Sequence, residues 1–142
     1  MVDIPELIVL DVGHGNCAIL RDTEAVTVID CPPGTILLDT LEQLEISTVD
    51  HVLISHADID HIGGLPTLLE NVTVRNVYIN PDAEKKKRSS TGMDVHWLWG
   101  DIRVALNWHS KLGTRVHLAL NTSFCVYTVI GKMCCQTSYF RL

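Results

Sequence analysis

The sequence predicts an α/β domain built on a mixed sheet. Short runs rich in branched apolar residues alternate with segments whose leucines recur at helical spacing. The first of these runs lie close enough together to pair as hairpins, so the sheet is not wholly parallel. The chain has 142 residues, 46% apolar and 20% charged, which fits one globular domain.

The elements follow in order. Leu7-Ile8-Val9-Leu10 is a short branched run and is expected as a buried strand. Cys17-Ala18-Ile19-Leu20 and Val26-Thr27-Val28-Ile29 flank the polar Arg21-Asp22-Thr23-Glu24, the pattern of a hairpin. Pro32-Pro33-Gly34 stops the second of these strands, and Leu37, Leu41 and Leu44 then mark a short amphipathic helix. His51-Val52-Leu53-Ile54 and Asn76-Val77-Tyr78-Ile79 read as two more strands. Between them, Leu65, Leu68 and Leu69 follow Gly63-Gly64, with Pro66 near a helix start, where its missing N–H costs nothing. Past residue 81 comes the polar run Glu84-Lys85-Lys86-Lys87-Arg88-Ser89-Ser90, expected as an exposed loop. A helix is predicted through Leu98, Ile102, Ala105, Leu106, His109 and Leu112, ended by Gly113. Arg115 to Leu120 and Phe124 to Ile130 read as strands, and Gly131 to Leu142 shows no period.

Composition excludes several classes. No apolar run approaches the roughly 18 residues of a membrane span, and Met1-Val2-Asp3-Ile4-Pro5-Glu6, with two acids and no Lys or Arg, is not expected to act as a secretory signal. The net charge of −6 leaves only a local basic patch for nucleic acid. Five cysteines, an odd count with no export signal, point to reduced thiols and a cytoplasmic setting. No C-x-x-C occurs, and Cys17 and Cys31 are expected as small buried side chains.

The chemistry lies in Ser55-His56-Ala57-Asp58-Ile59-Asp60-His61-Ile62-Gly63-Gly64. His56, Asp58, Asp60 and His61 put imidazoles and carboxylates within six residues, a ligand set for zinc, manganese or iron. In extended backbone the first three would project from the strand end together. A helix cap would account for one acid. It does not account for two acids and two imidazoles, and Asp58 and Asp60 would repel each other without a cation between them.

His-x-Asp-x-Asp-His-x-Gly-Gly after an apolar strand resembles the metallo-β-lactamase superfamily, whose usual motif is His-x-His-x-Asp-His. Asp58 stands here at the second histidine. With the opening Asp11-Val12-Gly13-His14-Gly15-Asn16-Cys17-Ala18-Ile19-Leu20, the chain is most similar to the soluble hydrolase domain of ComEC-type DNA-uptake (competence) proteins. Their opening is Asp-Val-Gly-Gln-Gly-Asp-Ala, so His14 and Asn16 depart from it. Val28-Ile29-Asp30 matches the superfamily's acid-ended strand. The resemblance implies an αββα sandwich with helices outside the sheets, represented mainly by its N-terminal half. Residues 1–142 would form one such domain, clear over 1–80 and truncated or divergent over 81–142. It further implies that His56 and Asp58 bind a first metal and Asp60 and His61 a second. Asp30 would orient the ligand loop through hydrogen bonds. Asp60 would be catalytic, orienting the attacking water or passing a proton to the leaving group. His14 would contact substrate or serve only as a turn residue. The implied cofactor is one or two divalent ions, zinc or manganese. The implied reaction is hydrolysis of a phosphodiester or other ester-like bond, with nuclease activity favoured by the DNA-uptake likeness.

The superfamily's later ligands are not evident. Gly100-Asp101 is the one Gly-Asp pair and falls in a helical pattern. His96, His109 and His117 are candidates for the later histidines, though none sits in a glycine-rich loop. The competing expectation is therefore a truncated or degenerate metallo-hydrolase domain that acts as a binding module or is inactive. The Lys85–Arg88 run and the tryptophans at 97, 99 and 108 offer a nucleic-acid reading. A solvated loop for the basic run, and core packing or an apolar patch left by an absent partner segment for the tryptophans, are the favoured expectations. Substrate and oligomeric state are not encoded in any motif.

Overall fold

A computed structural model describes residues 4–79, 96–118, 123–125 and 139–141. The basic run 84–90 and the stretches 119–122 and 126–138 lie outside the described residues, as does most of the segment expected to lack a period.

Six strands form one sheet in sequential order. They are β1 (Glu6–Val9), β2 (Ala18–Arg21), β3 (Val26–Ile29), β4 (Thr48–Leu53), β5 (Thr73–Ile79) and β6 (Arg115–Leu118). The first two pairings are antiparallel, and those from β3 to β6 are parallel. The connections differ accordingly: residues 10–17 and 22–25 close the antiparallel pairs without a helix, whereas each parallel step carries one. Helix α1 (Ile36–Gln43) joins β3 to β4, α2 (Ile59–Ile62) and α3 (Leu65–Asn71) join β4 to β5, and α4 (His96–Lys111) precedes β6. The strands β7 (Ser123–Cys125) and β8 (Tyr139–Arg141) pair antiparallel in a separate ribbon. The mixed α/β architecture predicted from sequence is the one observed.

Register decides which face is core. Ile8, Ile19, Val28, Val52, Val77 and Val116 lie side by side in one row across the sheet. Ile19, Val28, Val52 and Val77 of that row form one buried cluster with Leu37 and Leu41 of α1, Leu65, Leu68 and Leu69 of α3, and Ile102 of α4. Each fully buried aliphatic side chain contributes about 1.5–3 kcal/mol. The helices thus cover this face. The alternate row runs Val9, Ala18, Ile29, Leu53, Tyr78, His117, and its members from Ile29 to His117 are only half-buried.

Two expectations are corrected. The run Leu7–Leu10 forms the edge strand β1 and is not buried: Leu7 is 59% and Val9 69% exposed. Both alternate with Ile8 and point away from the helix-covered face. On α4, Ile102 is buried as predicted but Leu112 is 67% exposed. Val104, Trp108 and Leu112, spaced by four, form an apolar stripe on the outer side of that helix. Gly113 ends α4 with φ 112°, as its C′ position requires.

The core assignment is tested by contrast. Leu68→Ala should lower unfolding free energy by about 2–5 kcal/mol. Leu112→Ala should change it by no more than about 0.5 kcal/mol. Equal effects in urea titrations would contradict the packing described.

Candidate active site

The carboxyl ends of parallel strands are where α/β sheets place their sites, because the chain leaves each strand there into a loop. Here β3 ends at Asp30 and β4 ends at the loop Ile54–Ala57. Asp30 adopts φ 60°, unusual for a residue with a side chain. Its N–H donates to the Leu53 carbonyl at 2.8 Å, which ties the two strand ends together. This geometry turns its carboxylate inward, where it is 1% exposed.

That carboxylate is satisfied from several sides. The Ser55 N–H donates to Oδ1 at 2.7 Å, and the Ser55 hydroxyl donates to Oδ2 at 2.7 Å. His61 Nδ1 lies 2.8 Å from Oδ2, and the Asn16 amide reaches the same oxygen at 3.5 Å. A carboxylate only accepts, so His61 carries its proton on Nδ1 and its lone pair on Nε2. The Ser55 hydroxyl hydrogen is engaged by the hydrogen bond to Asp30. The hydroxyl oxygen therefore accepts from His56 Nδ1 at 3.0 Å, which fixes His56 in the same tautomer. Asp30 thereby orients both imidazoles, one directly and one through Ser55.

Asp58 occupies the N-cap position of α2, yet its side chain makes no cap hydrogen bond. It is buried, with Oδ2 3.6 Å from His56 Nε2. Asp60 and His61 lie inside the helical turn of α2, not on extended backbone. The expected common projection of His56, Asp58 and Asp60 from one strand end is thus corrected. The turn brings the Asp60 Oδ2 to 3.6 Å from His61 Nε2. The His56 and His61 rings stand 3.7 Å apart between centroids, so two imidazolium charges there would repel. In the tautomers fixed above, each Nε2 lone pair faces a carboxylate oxygen. That arrangement is unfavourable without a cation between them.

The donor chemistry fits a divalent cation. Two donors each about 2.1 Å from one zinc at a tetrahedral angle stand about 3.4 Å apart. The observed 3.6 Å separations are close to that and too long for good hydrogen bonds. The donors stand as pairs: among the described residues, no three His, Cys, Asp or Glu side chains are already gathered around one point.

Close backbone packing holds the loop in place. Gly64 lies against the Pro32 carbonyl with no room for a β-carbon, and its N–H donates to the Cys31 carbonyl at 2.8 Å. The Cys31 N–H donates to the His61 carbonyl at 2.6 Å. Gly15, at φ 109°, lies equally tightly on the Asp60 carbonyl, which brings His14 over the site. His14 Nε2 is 3.4 Å from Asp60 Oδ2.

The remaining candidates lie elsewhere. His117 sits on β6, stacked on Tyr78 at 4.5 Å and 3.0 Å from the Asn76 side-chain oxygen. His109 is half-buried on α4, and Gly100-Asp101 falls within that helix with Asp101 exposed. The side chain of His96 lies outside the described residues, as does the run Lys85–Arg88. Sequence reasoning assigned no role to Ser55 or Asn16. Their signal was adjacency alone: Ser55 directly precedes His56, and Asn16 follows the glycine turn.

The chain belongs to the metallo-beta-lactamase superfamily, whose model matches residues 10–134. Members of this superfamily are generally hydrolytic and typically bind divalent metals. Among solved structures, a Thermotoga maritima protein described as a metallo-beta-lactamase aligns with TM-score 0.55 and 19% identity, over 82% of this chain and 59% of that one. A diphosphatase of the PhnP family aligns with TM-score 0.49 and 14% identity, over 79% and 39%. Rubredoxin oxygen:oxidoreductase from Desulfovibrio gigas aligns with TM-score 0.44 and 20% identity, over 75% and 23%. This chain thus spans 59% of the length of the Thermotoga protein. No curated protein matches the sequence. No described helix is long and apolar enough to cross a membrane.

Two outcomes test this geometry. Asp30→Asn replaces an acceptor-only group by one carrying two donors, so it should cost at least about 1.5–3 kcal/mol, the value of one hydrogen bond to a charged group. An unchanged urea midpoint would contradict its central placement. The second outcome concerns Cys17, whose thiol donates to the Asp30 carbonyl at 3.4 Å. Burial, and then the Asp30 charge, push this thiol up from 9.0 to about 12; burial raises Cys31 likewise. Between those two values of Cys17 the native state holds more protons than the unfolded chain, so stability falls as pH rises. Below the lower value the thiol has no effect. Cys17→Ala should flatten that alkaline slope by up to about 1.4 kcal/mol per pH unit, and a slope unchanged by the substitution would contradict the burial argument.

Proposed function

We propose that this chain is a metal-dependent hydrolase of the ComEC-like type, acting on a phosphodiester or other ester-like bond. The observation that supports it best is the approach of the His56 and His61 Nε2 atoms to the carboxylates of Asp58 and Asp60, each at 3.6 Å. His56 and Asp58 would hold one divalent cation, and Asp60 and His61 a second. Zinc suits the imidazoles, and the carboxylate share also suits manganese. Such a cation, when bound, lowers the pKa of water to about 7 and offsets charge on the scissile group.

The rest of the work belongs to the protein. Asp30 and Ser55 hold both rings in the tautomer that presents Nε2. Asp60, on the open side of the site, orients the attacking water and accepts its proton at a carboxylate oxygen. The Gly13–Gly15 turn brings His14 beside that carboxylate, where it would contact substrate. The phosphodiester preference rests on the resemblance of the opening segment Asp11–Leu20 to that of the DNA-uptake proteins. The unbridged, buried Cys17 and Cys31 suit a cytoplasmic setting.

One observation favours the second reading, a degenerate domain that binds but does not cleave. The donors form pairs, not a closed cage, among the described residues, and His117 is engaged with Tyr78 and Asn76.

Elemental analysis beside hydrolysis assays separates the two. The purified protein should carry zinc or manganese and cleave an activated phosphodiester in a chelator-sensitive manner. Ser55→Ala should lower activity roughly 10–100-fold, as expected when a ligand loses its orienting partner. His56→Ala should lower both metal content and activity further. Negligible metal in wild type and His56→Ala alike would overturn the hydrolase reading. Bound metal without turnover of phosphodiester, lactam or thioester would favour the binding module.

A further inference from the structure

β1 is the outer edge of the six-stranded sheet, and among the described residues no strand lies beyond it. Its register with β2 decides which backbone groups face outward. The Leu10 N–H donates to the Cys17 carbonyl at 2.9 Å, one step beyond the Val9–Ala18 pair. Facing residues of an antiparallel ladder alternate between bonded and non-bonded pairs. Glu6, Ile8 and Leu10 therefore turn their N–H and C=O groups toward β2, and Leu7 and Val9 turn theirs to the open side. The same two residues carry exposed apolar side chains on the face opposite the helices. The devices that usually blunt such an edge are absent from Glu6–Val9. It holds no Lys and no Pro, and its pairing with β2 runs without a bulge.

We propose that β1 pairs antiparallel with β1 of a second copy of this chain, joining two sheets edge to edge across a two-fold axis at Ile8. The backbone selects this register. With Ile8 opposite Ile8 of the second copy, Leu7 stands opposite Val9 in both halves. These are the residues with outward backbone groups, so each facing pair exchanges both of its N–H···O bonds. A register shifted by one residue would set outward groups against inward ones. One centred on Leu7 would oppose Val9 to Pro5, which has no N–H. One centred on Val9 would set the Asp11 carboxylate against Leu7. In the chosen register Leu7 packs beside Val9 on the exposed face, and the two half-buried Ile8 side chains meet on the helix side. Charge agrees with it: Glu6 falls opposite Leu10 of the second copy and is held by Arg21 at 2.6 Å, so like charges do not face each other. A second copy fits this edge because the strip is its own complement. The stripe Val104, Trp108 and Leu112 on α4 is also apolar, but no backbone pattern there selects a partner.

The test is sedimentation equilibrium of the full chain from micromolar to millimolar concentration. Wild type should rise from the monomer mass toward twice that value, and the Leu7 and Val9 amides should exchange more slowly as it does. Val9→Pro removes an outward donor but no N–H of the β1–β2 ladder. It should weaken the dimer by about 10-fold or more, the effect of losing one hydrogen bond in each copy. Leu7→Lys leaves the backbone intact and should weaken the dimer likewise, since lysine on an edge strand opposes pairing. Trp108→Lys, on the α4 stripe, should leave it unchanged. A wild type that stays monomeric to millimolar concentration would overturn the inference, whether the edge is idle or receives an extended segment of another protein. A dimer that survives both β1 variants, or is lost in Trp108→Lys alone, would overturn it as well.

Discussion

A single buried carboxylate sets the geometry of this site. Asp30 ends β3 in a left-handed conformation and receives the Ser55 N–H, the Ser55 hydroxyl and His61 Nδ1. Burying an ionised group costs several kcal/mol unless hydrogen bonds compensate, so these donors are held to it firmly. The consequence reaches two bonds further: with Nδ1 of both His56 and His61 committed to donation, each ring presents a lone pair from Nε2. One acid in the sheet thus determines what two imidazoles on the following loop can bind.

The sheet makes this possible. β3 and β4 are adjacent and parallel, so their carboxyl ends lie at the same edge, and Asp30 meets Ser55 across them. The loop after β4 must then turn back to bring His61 over Asp30. Gly64 permits the turn by packing its backbone on Pro32, and the Cys31 N–H fastens the His61 carbonyl. The hairpin arm ending in β2 contributes from the other side through Asn16 and the Gly13–Gly15 turn. Fold and site are therefore linked by backbone contacts that tolerate little added volume.

Much of this was legible in the sequence because local signals and tertiary demands agree. Branched apolar runs marked β2, β3 and β5, and the leucine spacing marked α1 and α3. Asp30 was identifiable from its place at the end of Val28-Ile29. Exposure of Leu7 and Val9 was not legible, because an apolar run does not reveal whether its strand has a covered second face. The placement of Asp60 on a helical turn was also hidden, since four residues are too few for a helical period to show. Ser55 was missed as a linker between Asp30 and His56 because its role depends on register between β3 and β4, which no single segment encodes. Leu112 followed the helical period of α4 but joins Val104 and Trp108 on the exposed side of that helix.

The central claim is that Asp30 fixes His56 and His61 in the tautomer that presents Nε2 to a cation. Long-range proton–nitrogen NMR correlations of the histidine rings, recorded with and without zinc, test it most directly. The account predicts protonated Nδ1 and bare Nε2 in both rings, with the Nε2 resonances shifting when zinc is added. Protons on Nε2, or ring spectra indifferent to zinc, would contradict it.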